Sequence, residues 1–324
     1  MKKSFKLFLA AAVLVTEFFV VALPLMITSA KADGHPIQAI THAGFGGGTD
    51  VTTRMMLLRT RRYLKQDMQL VNKKGGGGAA SMDYMMTLPA DGQHTLTWTT
   101  GHAVSMALGK TKVKLSDMQP LARGTDDPQL FVVNCKNDIK DAKKFISAQK
   151  SKSLKYGTTH VGGIDDVSAI AFTKKGKLTD PTIVPYKGVG PIKTNLIKGD
   201  IDVGVLNLGE AVTEIEDGTL CVSVVLASNR MEKLSNVPTA TELGIPVVLS
   251  TVRGFVTRKG VPADRKKQLE DAMIKAMEHK YFQSFLTDIG LDSTSVVGAD
   301  EWGKQMEVML AEMTAQLKAL GYIN

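Results

Sequence analysis

Cysteine is nearly missing from this chain: Cys135 and Cys221 are the only two in 324 residues. No zinc-type spacing can be assembled from them, and no His-Glu-x-x-His helix occurs in its place. A Gly-x-Ser-x-Gly elbow is absent too. Of His35, His42, His94, His102, His160 and His279, only His160, with Asp165 or Asp166 close by, could imitate part of a triad, and no nucleophile is marked. A secreted hydrolase acting on a small carboxylate ester is therefore the competing class rather than the favoured one. No basic run of five or more residues interleaves with aromatics, so nucleic acid is not indicated. After residue 32 no apolar run approaches membrane-spanning length.

Nucleotide motifs fail on spacing. A dinucleotide fingerprint counted from Gly44 puts Thr49 where its third glycine belongs. Gly109-Lys110-Thr111 has the end of a P-loop, but Val104 stands where the first glycine should be. What is present is Gly44-Phe-Gly-Gly-Gly-Thr-Asp50, between the apolar run Ile37 to Ile40 and a helical stretch from Val51 to Leu64. A strand that turns through glycines into a helix makes an anion site: backbone N–H groups point inward, and the helix N-terminus adds partial positive charge. Thr49 or Asp50 can cap that helix. A side chain at Gly47 is expected to crowd the anion and to strain any positive φ.

Met1-Lys-Lys3 and Lys6 precede a largely apolar stretch from Leu7 to Ile27, and Ala30-Lys-Ala32 has the small-x-small pattern of a signal-peptidase site. This reads as a leader cut after Ala32; an uncleaved anchor is the alternative. The formal charge of +8 falls to +5 once the leader is removed. A mildly basic domain attracts anions, although such charge is usually solvated surface. In an oxidising compartment Cys135 and Cys221 pair if their β-branched runs are neighbouring strands. Two separately buried thiols is the slightly favoured reading.

Short β-branched runs alternate with amphipathic stretches, which argues for an α/β architecture with mostly parallel strands in two lobes. Strands are expected at 37–41, 69–71, 95–99, 130–133, 154–156, 183–184, 203–206, 221–226 and 252–257. Helices are expected at 50–64, 79–87, 141–149, 167–173, 191–197, 239–243, 265–278, 281–289 and 299–320. Met306, Met309 and Met313 fall at helical spacing and read as core. The first lobe is expected over 33–128 and 253–324, the second over 129–252. The runs Leu130–Val133 and Val252–Thr257 would serve as paired crossover strands. Three more glycine turns follow expected strands: Asn72 to Gly78, Tyr156 to Gly163, and Pro185 to Gly190. Ligands collect at the carboxyl ends of strands in such sheets, so four such turns imply a cleft lined by backbone donors.

Taken in order, these blocks resemble the Bug family, the periplasmic receptors of tripartite tricarboxylate transporters. The blocks are Phe45-Gly-Gly-Gly-Thr-Asp50 with Arg54; Val71-Asn-Lys-Lys-Gly-Gly-Gly-Gly78; Pro89-Ala-Asp-Gly-Gln-His-Thr-Leu96; Val184-Pro-Tyr-Lys-Gly188; Gly199-Asp-Ile-Asp202; and Arg230 followed by Val237-Pro-Thr-Ala-Thr-Glu-Leu-Gly244. The second loop departs from the family pattern, with His160 for a glycine, Gly163 for a serine and Asp166 where a histidine would stand.

The resemblance implies an α/β, two-lobed, Venus-flytrap-like periplasmic-binding-protein fold with the ligand in the interlobe cleft. It implies an exported, non-catalytic receptor for a di- or tricarboxylate or related organic acid. Two loops would hold the carboxylate: Phe45, Gly46, Gly47, Gly48, Thr49 and Asp50 from one lobe, and Thr158, Thr159, His160 and Gly162 from the other. Asp50 would act by capping or by ordering a water rather than as a charge partner, since two carboxylates repel. The partners implied are the organic acid and the integral membrane subunits of a cognate transporter. The receptor is expected to be a monomer with no metal, cofactor or nucleic acid.

Overall fold

A computed structural model describes residues 35–159 and 161–323. The leader, its cleavage after Ala32, and His160 lie outside the described residues. Strand β1 (Ile37–Thr41) buries Ile37, Ala39 and Ile40. Strands β2 (Met68–Asn72) and β3 (His94–Thr99) flank β1, both parallel to it. Parallel neighbours need crossovers, supplied by α1 (Gly48–Leu64) and α2 (Ala79–Met86). Helix α3 (Thr100–Ala107) leads to the long strand β4 (Met118–Pro128). Strand β10 (Ser250–Arg258) runs antiparallel between β3 and β4, and β11 (Val297–Gly298) forms the edge. The sheet order is β11-β4-β10-β3-β1-β2.

The chain leaves this sheet through Gln129 and enters a second one. Its strands are β5 (Leu130–Asn134), β6 (Lys155–Thr158), β7 (Thr182–Pro185), β8 (Val203–Leu206) and β9 (Leu220–Val225), in the order β7-β6-β8-β5-β9. Helices α4 (Ala142–Ser151), α5 (Ile164–Lys175), α6 (Val189–Lys198) and α7 (Leu208–Glu216) connect them. Asp141 caps α4 by accepting the N–H groups of Lys143 and Lys144, each at 3.0 Å. The core of this lobe centres on Phe131, whose ring lies 5.8 Å from Phe145, 5.5 Å from Tyr156 and 4.9 Å from Phe172. Each such buried side chain contributes roughly 1.5–3 kcal/mol.

Helices α8 (Ala263–Glu278), α9 (Lys280–Asp288) and α10 (Ala299–Ala319) complete the fold, and α8 packs on α1. Helix α10 buries Trp302, Met306, Met309, Met313 and Leu317 along one stripe, so the methionines are core. Gly254 permits this packing: a Cβ there would stand 2.3 Å from Trp302 Cε2. The end of α10 also reaches the second lobe, where Lys174 Nζ donates to Leu320 O at 3.0 Å.

The structure corrects five expectations. The sheets are mixed, because β5 and β10 each run antiparallel to both of their neighbours. Those two strands do not pair: β5 bonds β8 and β9, while β10 bonds β3 and β4. The two crossings meet at their ends, where Gln129 N–H donates to Leu249 O and Gln129 Nε2 to Thr251 Oγ1, each at 3.0 Å. Residues 239–243 form one hydrogen-bonded turn, closed by mutual Thr239–Glu242 bonds and ended by Gly244 at φ +78°. The cysteines are joined in a Cys135–Cys221 disulfide, since β5 lies beside β9 with Val133 opposite Cys221. Lastly, the elements β4, β11, α3 and α7 were not expected from the sequence.

Candidate functional site

The first glycine turn is closed by its own helix. Gly46, at φ +75°, donates its N–H to Asp50 Oδ2 at 3.0 Å, and Arg54 grips the same carboxylate with a fork at 2.9 and 3.2 Å. Gly47 is the N-cap and no side chain caps it, so neither Thr49 nor Asp50 plays that part. Gly47 has φ −72° and ψ 158°, and a Cβ there would meet only Gly44 O, at 3.4 Å. The strain argument therefore belongs to Gly46 and not to Gly47. Gly48 N–H points at Glu210 Oε1, 3.4 Å away on the other sheet's α7.

The second turn follows β2. Gly75 to Gly78 all have positive φ, and Ser105 Oγ approaches the carbonyls of Gly76 and Gly77 at 3.0 and 2.9 Å. Beneath it His102 is buried, accepting Thr99 N–H at Nδ1 (3.0 Å) and facing Ser81 Oγ from Nε2 (3.0 Å). That places the proton of the neutral ring on Nε2. Burial first, then the charge of His42, holds His102 well below the usual histidine range.

The third turn leads from β6 into α5. Asp165 Oδ2 accepts Thr159 N–H (2.8 Å) and Thr159 Oγ1 (2.6 Å), and Asp166 Oδ2 accepts Gly162 N–H (2.5 Å). The fourth follows β7, where Tyr186 N–H donates to Thr158 O at 2.7 Å. All four turns line one cavity of about 810 Å³.

The cavity is also lined by residues the sequence reading missed: Asn207, Glu210, Thr251 and Arg253. Arg253 is 2% exposed. It donates to Asp127 Oδ2 and Asn207 Oδ1 at 3.0 Å each, and to Thr49 Oγ1 at 3.3 Å. Asn207 and Glu210 form a capping box on α7, and Asn207 Nδ2 reaches back to the carbonyls of Asp127 and Pro128. One guanidinium thus binds Asp127 and lies close enough to Glu210 to act on its charge. Burial outweighs Arg253 and pushes the Asp127 carboxyl up to about 7, with Glu210 adding repulsion. Burial also raises Glu210, against the pull of Arg253. One signal was available: Asn207-Leu-Gly-Glu210 after an apolar strand is a capping-box pattern.

Of the residues expected to hold ligand, Phe45, Gly46, Gly47, Gly48, Thr49 and Thr159 line the cavity. Asp50, Thr158 and Gly162 stand behind the lining; Thr158 is fully buried, and Asp50 is 2% exposed. Among the described residues no helix is long and apolar enough to cross a membrane.

The family model described as "Tripartite tricarboxylate transporter family receptor" matches residues 52–320. Protein BugT of Bordetella pertussis is 27% identical over 220 residues, covering 65% of this chain and 66% of BugT. Among solved structures, a periplasmic transporter superposes with a TM-score of 0.80 at 26% identity, covering 87% of this chain and 96% of the other. MatC of Rhodopseudomonas palustris with bound malate gives 0.78 at 23% identity, covering 87% and 98%. With most of its length matched in order, the chain belongs to the receptor family of the tripartite tricarboxylate transporters, the Bug-type solute-binding proteins.

Proposed function

We propose that this chain is a periplasmic receptor that binds a small organic acid in the cleft between its lobes and delivers it to a tripartite tricarboxylate-type membrane transporter. One observation carries the reading: glycine turns from both sheets converge on a single cavity of about 810 Å³. Such a space suits a small ligand gripped from two sides. Its lobes are residues 33–128 with 253–324, and 129–252. Export removes the leader after Ala32. The bound malate of MatC supports a carboxylate as the ligand class. The ligand meets Phe45, Gly47, Gly48, Thr49 and Thr159 directly, while Gly46, Asp50, Thr158 and Gly162 hold those residues in place. The receptor binds its ligand without converting it. A thermal-shift screen of mono-, di- and tricarboxylates against the protein lacking residues 1–32 tests the reading. A carboxylate that raises the melting temperature and is recovered unaltered is the expected result. A blank screen, or a chemically changed ligand, overturns it.

A further inference from the structure

Exposed apolar side chains scattered singly over a surface are ordinary. Two in this protein are not scattered. Among the described residues, Phe45 and Val161 are the large apolar side chains most open to solvent, at 76% and 71%. They come from opposite lobes, each just ahead of the glycines that turn its loop into a helix, and both line the one cavity. A ring held in water gains nothing there until an apolar surface covers it.

The surroundings extend the pair. On the second lobe Tyr186 and Val189, both half-buried, line the same cavity. On the first, Lys74 Nζ lies 5.3 Å from the centre of the Phe45 ring and the Arg54 guanidinium 6.0 Å from it. Those two cations leave most of Phe45 uncovered. At about 810 Å³ the cavity stands toward the upper end of the roughly 300–1,000 Å³ typical of small-molecule sites, more than a four-carbon diacid fills. Apolar side chains from both lobes, with the exposed Lys74 and Lys187 among them, suit a ligand that is part acid and part hydrocarbon.

Resting on the receptor reading above, we infer that the ligand is a carboxylic acid carrying an aromatic ring. Its carboxylate reaches the glycine turns, and its ring lies in the mouth between Phe45 and Val161. Seating the ring there removes apolar surface from water on both partners, and Phe45 adds a ring-to-ring contact. Phe45 and Val161 therefore set the specificity, while the turns beside them supply the seat for the acid.

Calorimetry with two matched pairs of probes tests this: phenylacetate against acetate, and phenylsuccinate against succinate. Within each pair the acid groups are shared and only the ring differs. At least one ring-bearing acid is expected to bind tenfold or more tighter than its parent. Combining Phe45→Ala with Val161→Ala strips both sides of the mouth and should shrink that ratio below threefold. Both side chains are exposed, so the double variant should fold, and circular dichroism checks that it does. If neither ring-bearing acid reaches tenfold over its parent on the wild-type protein, the inference is overturned and the receptor reading stands. A ratio that stays above threefold in the double variant overturns it as well. If neither ring-bearing acid binds at all, the inference falls; the receptor reading falls with it only if the wider carboxylate screen is also blank.

Discussion

Two strand-to-helix loops face the cavity, one from each sheet, and they are built to one plan. Phe45-Gly-Gly-Gly-Thr-Asp50 and Val161-Gly-Gly-Ile-Asp-Asp166 align residue for residue. Each begins with an apolar side chain held out to solvent, Phe45 at 76% exposure and Val161 at 71%. Each continues with a positive-φ glycine, Gly46 at +75° and Gly162 at +64°. An extended glycine N-cap follows in both, and the aspartate at the helix's third position accepts the first glycine's N–H. The loops differ at the two positions between. Gly48 and Thr49 in the first give way to Ile164 and Asp165 in the second. Gly48 leaves room for Arg253 of its own sheet and for Glu210 of the other: a Cβ there would lie 2.5 Å from Arg253 Nη2 and 3.4 Å from Glu210 Oε1. The second loop is closed by its own Asp165 on Thr159. The first loop is therefore tied to the other lobe through buried groups, whereas the second closes on its own helix and meets the first lobe at an exposed rim, where Lys110 Nζ donates to Val161 O at 3.3 Å.

The largest test of that difference is Arg253→Met. Arg253 ties Thr49 of the first loop to Asn207 of the second lobe, and its loss strands the Asp127 carboxylate in the interior. Removing one partner of a buried ion pair costs about 3–5 kcal/mol. Urea denaturation should show a loss of that size. Proteolysis should then cut near Gly46 sooner than near Gly162, and equal susceptibility would break the contrast.

Where the loops agree, Asp50→Ala and Asp166→Ala should agree too. Each leaves a glycine N–H without its acceptor, a loss of about 1–3 kcal/mol. The Arg54 fork on Asp50 adds little, because half of the Arg54 side chain is exposed and surface pairs stabilise by about 1 kcal/mol at most. Chemical denaturation of both variants checks this. A difference of more than about 2 kcal/mol between them would end the equivalence.

Much of this plan was legible because it is local. Glycine runs after apolar strands and before periodic helices announce both loops, and nine of the strands lie where β-branched runs put them. The floor is not local. Arg253 and Asp127 stand 126 residues apart, and Arg253 and Asn207 stand 46 apart, so only the tertiary fold joins them. Strand β4 was hidden by its composition, Met-Gln-Pro-Leu-Ala-Arg-Gly-Thr-Asp-Asp-Pro, which reads as a turn. It holds as a strand because its polar groups are met on arrival. Arg123 donates to the carbonyls of Ser295 and Thr294, and Asp126 accepts Ser250 Oγ. Helix α3 is eight residues of small and mixed type, too short for its period to declare itself.

A smaller effect tests the loop plan at the backbone. Gly46→Ala meets no atom within 4 Å, so it isolates the cost of a left-handed residue, about 1–2 kcal/mol. Gly162→Ala carries the same cost plus a 3.4 Å approach to Leu108 Cδ1, which is ordinary contact. The two should match within about 0.5 kcal/mol by thermal or chemical denaturation. By contrast Gly47→Ala, at φ −72°, should be close to neutral for stability.

The floor under the first loop is the part of the contrast that pH reaches. Burial raises the Asp127 carboxyl to about 7, while the unfolded chain keeps it near 3.9. Between those values the folded protein holds a proton that the unfolded chain has lost. That contribution to stability is complete below about pH 4 and fades as pH rises through 7. His102 works the other way. Its folded pKa is depressed, so the unfolded chain takes the proton first, and stability falls as pH drops below about 6.5. The two slopes oppose each other over the same window, so the wild-type curve should be flatter than either group alone would make it. Asp127→Asn keeps an oxygen for Arg253 and removes only the first slope. The variant should lie nearest the wild type at pH 8 and fall progressively behind toward pH 5. The divergence is at most about 1.4 kcal/mol for each pH unit, and less where Glu210 shares the proton. Denaturation midpoints measured at pH 8, 7, 6 and 5 on both proteins read this directly. Parallel curves would mean that Asp127 stays charged beside Arg253 throughout, and that the floor pins the first loop as a plain ion pair.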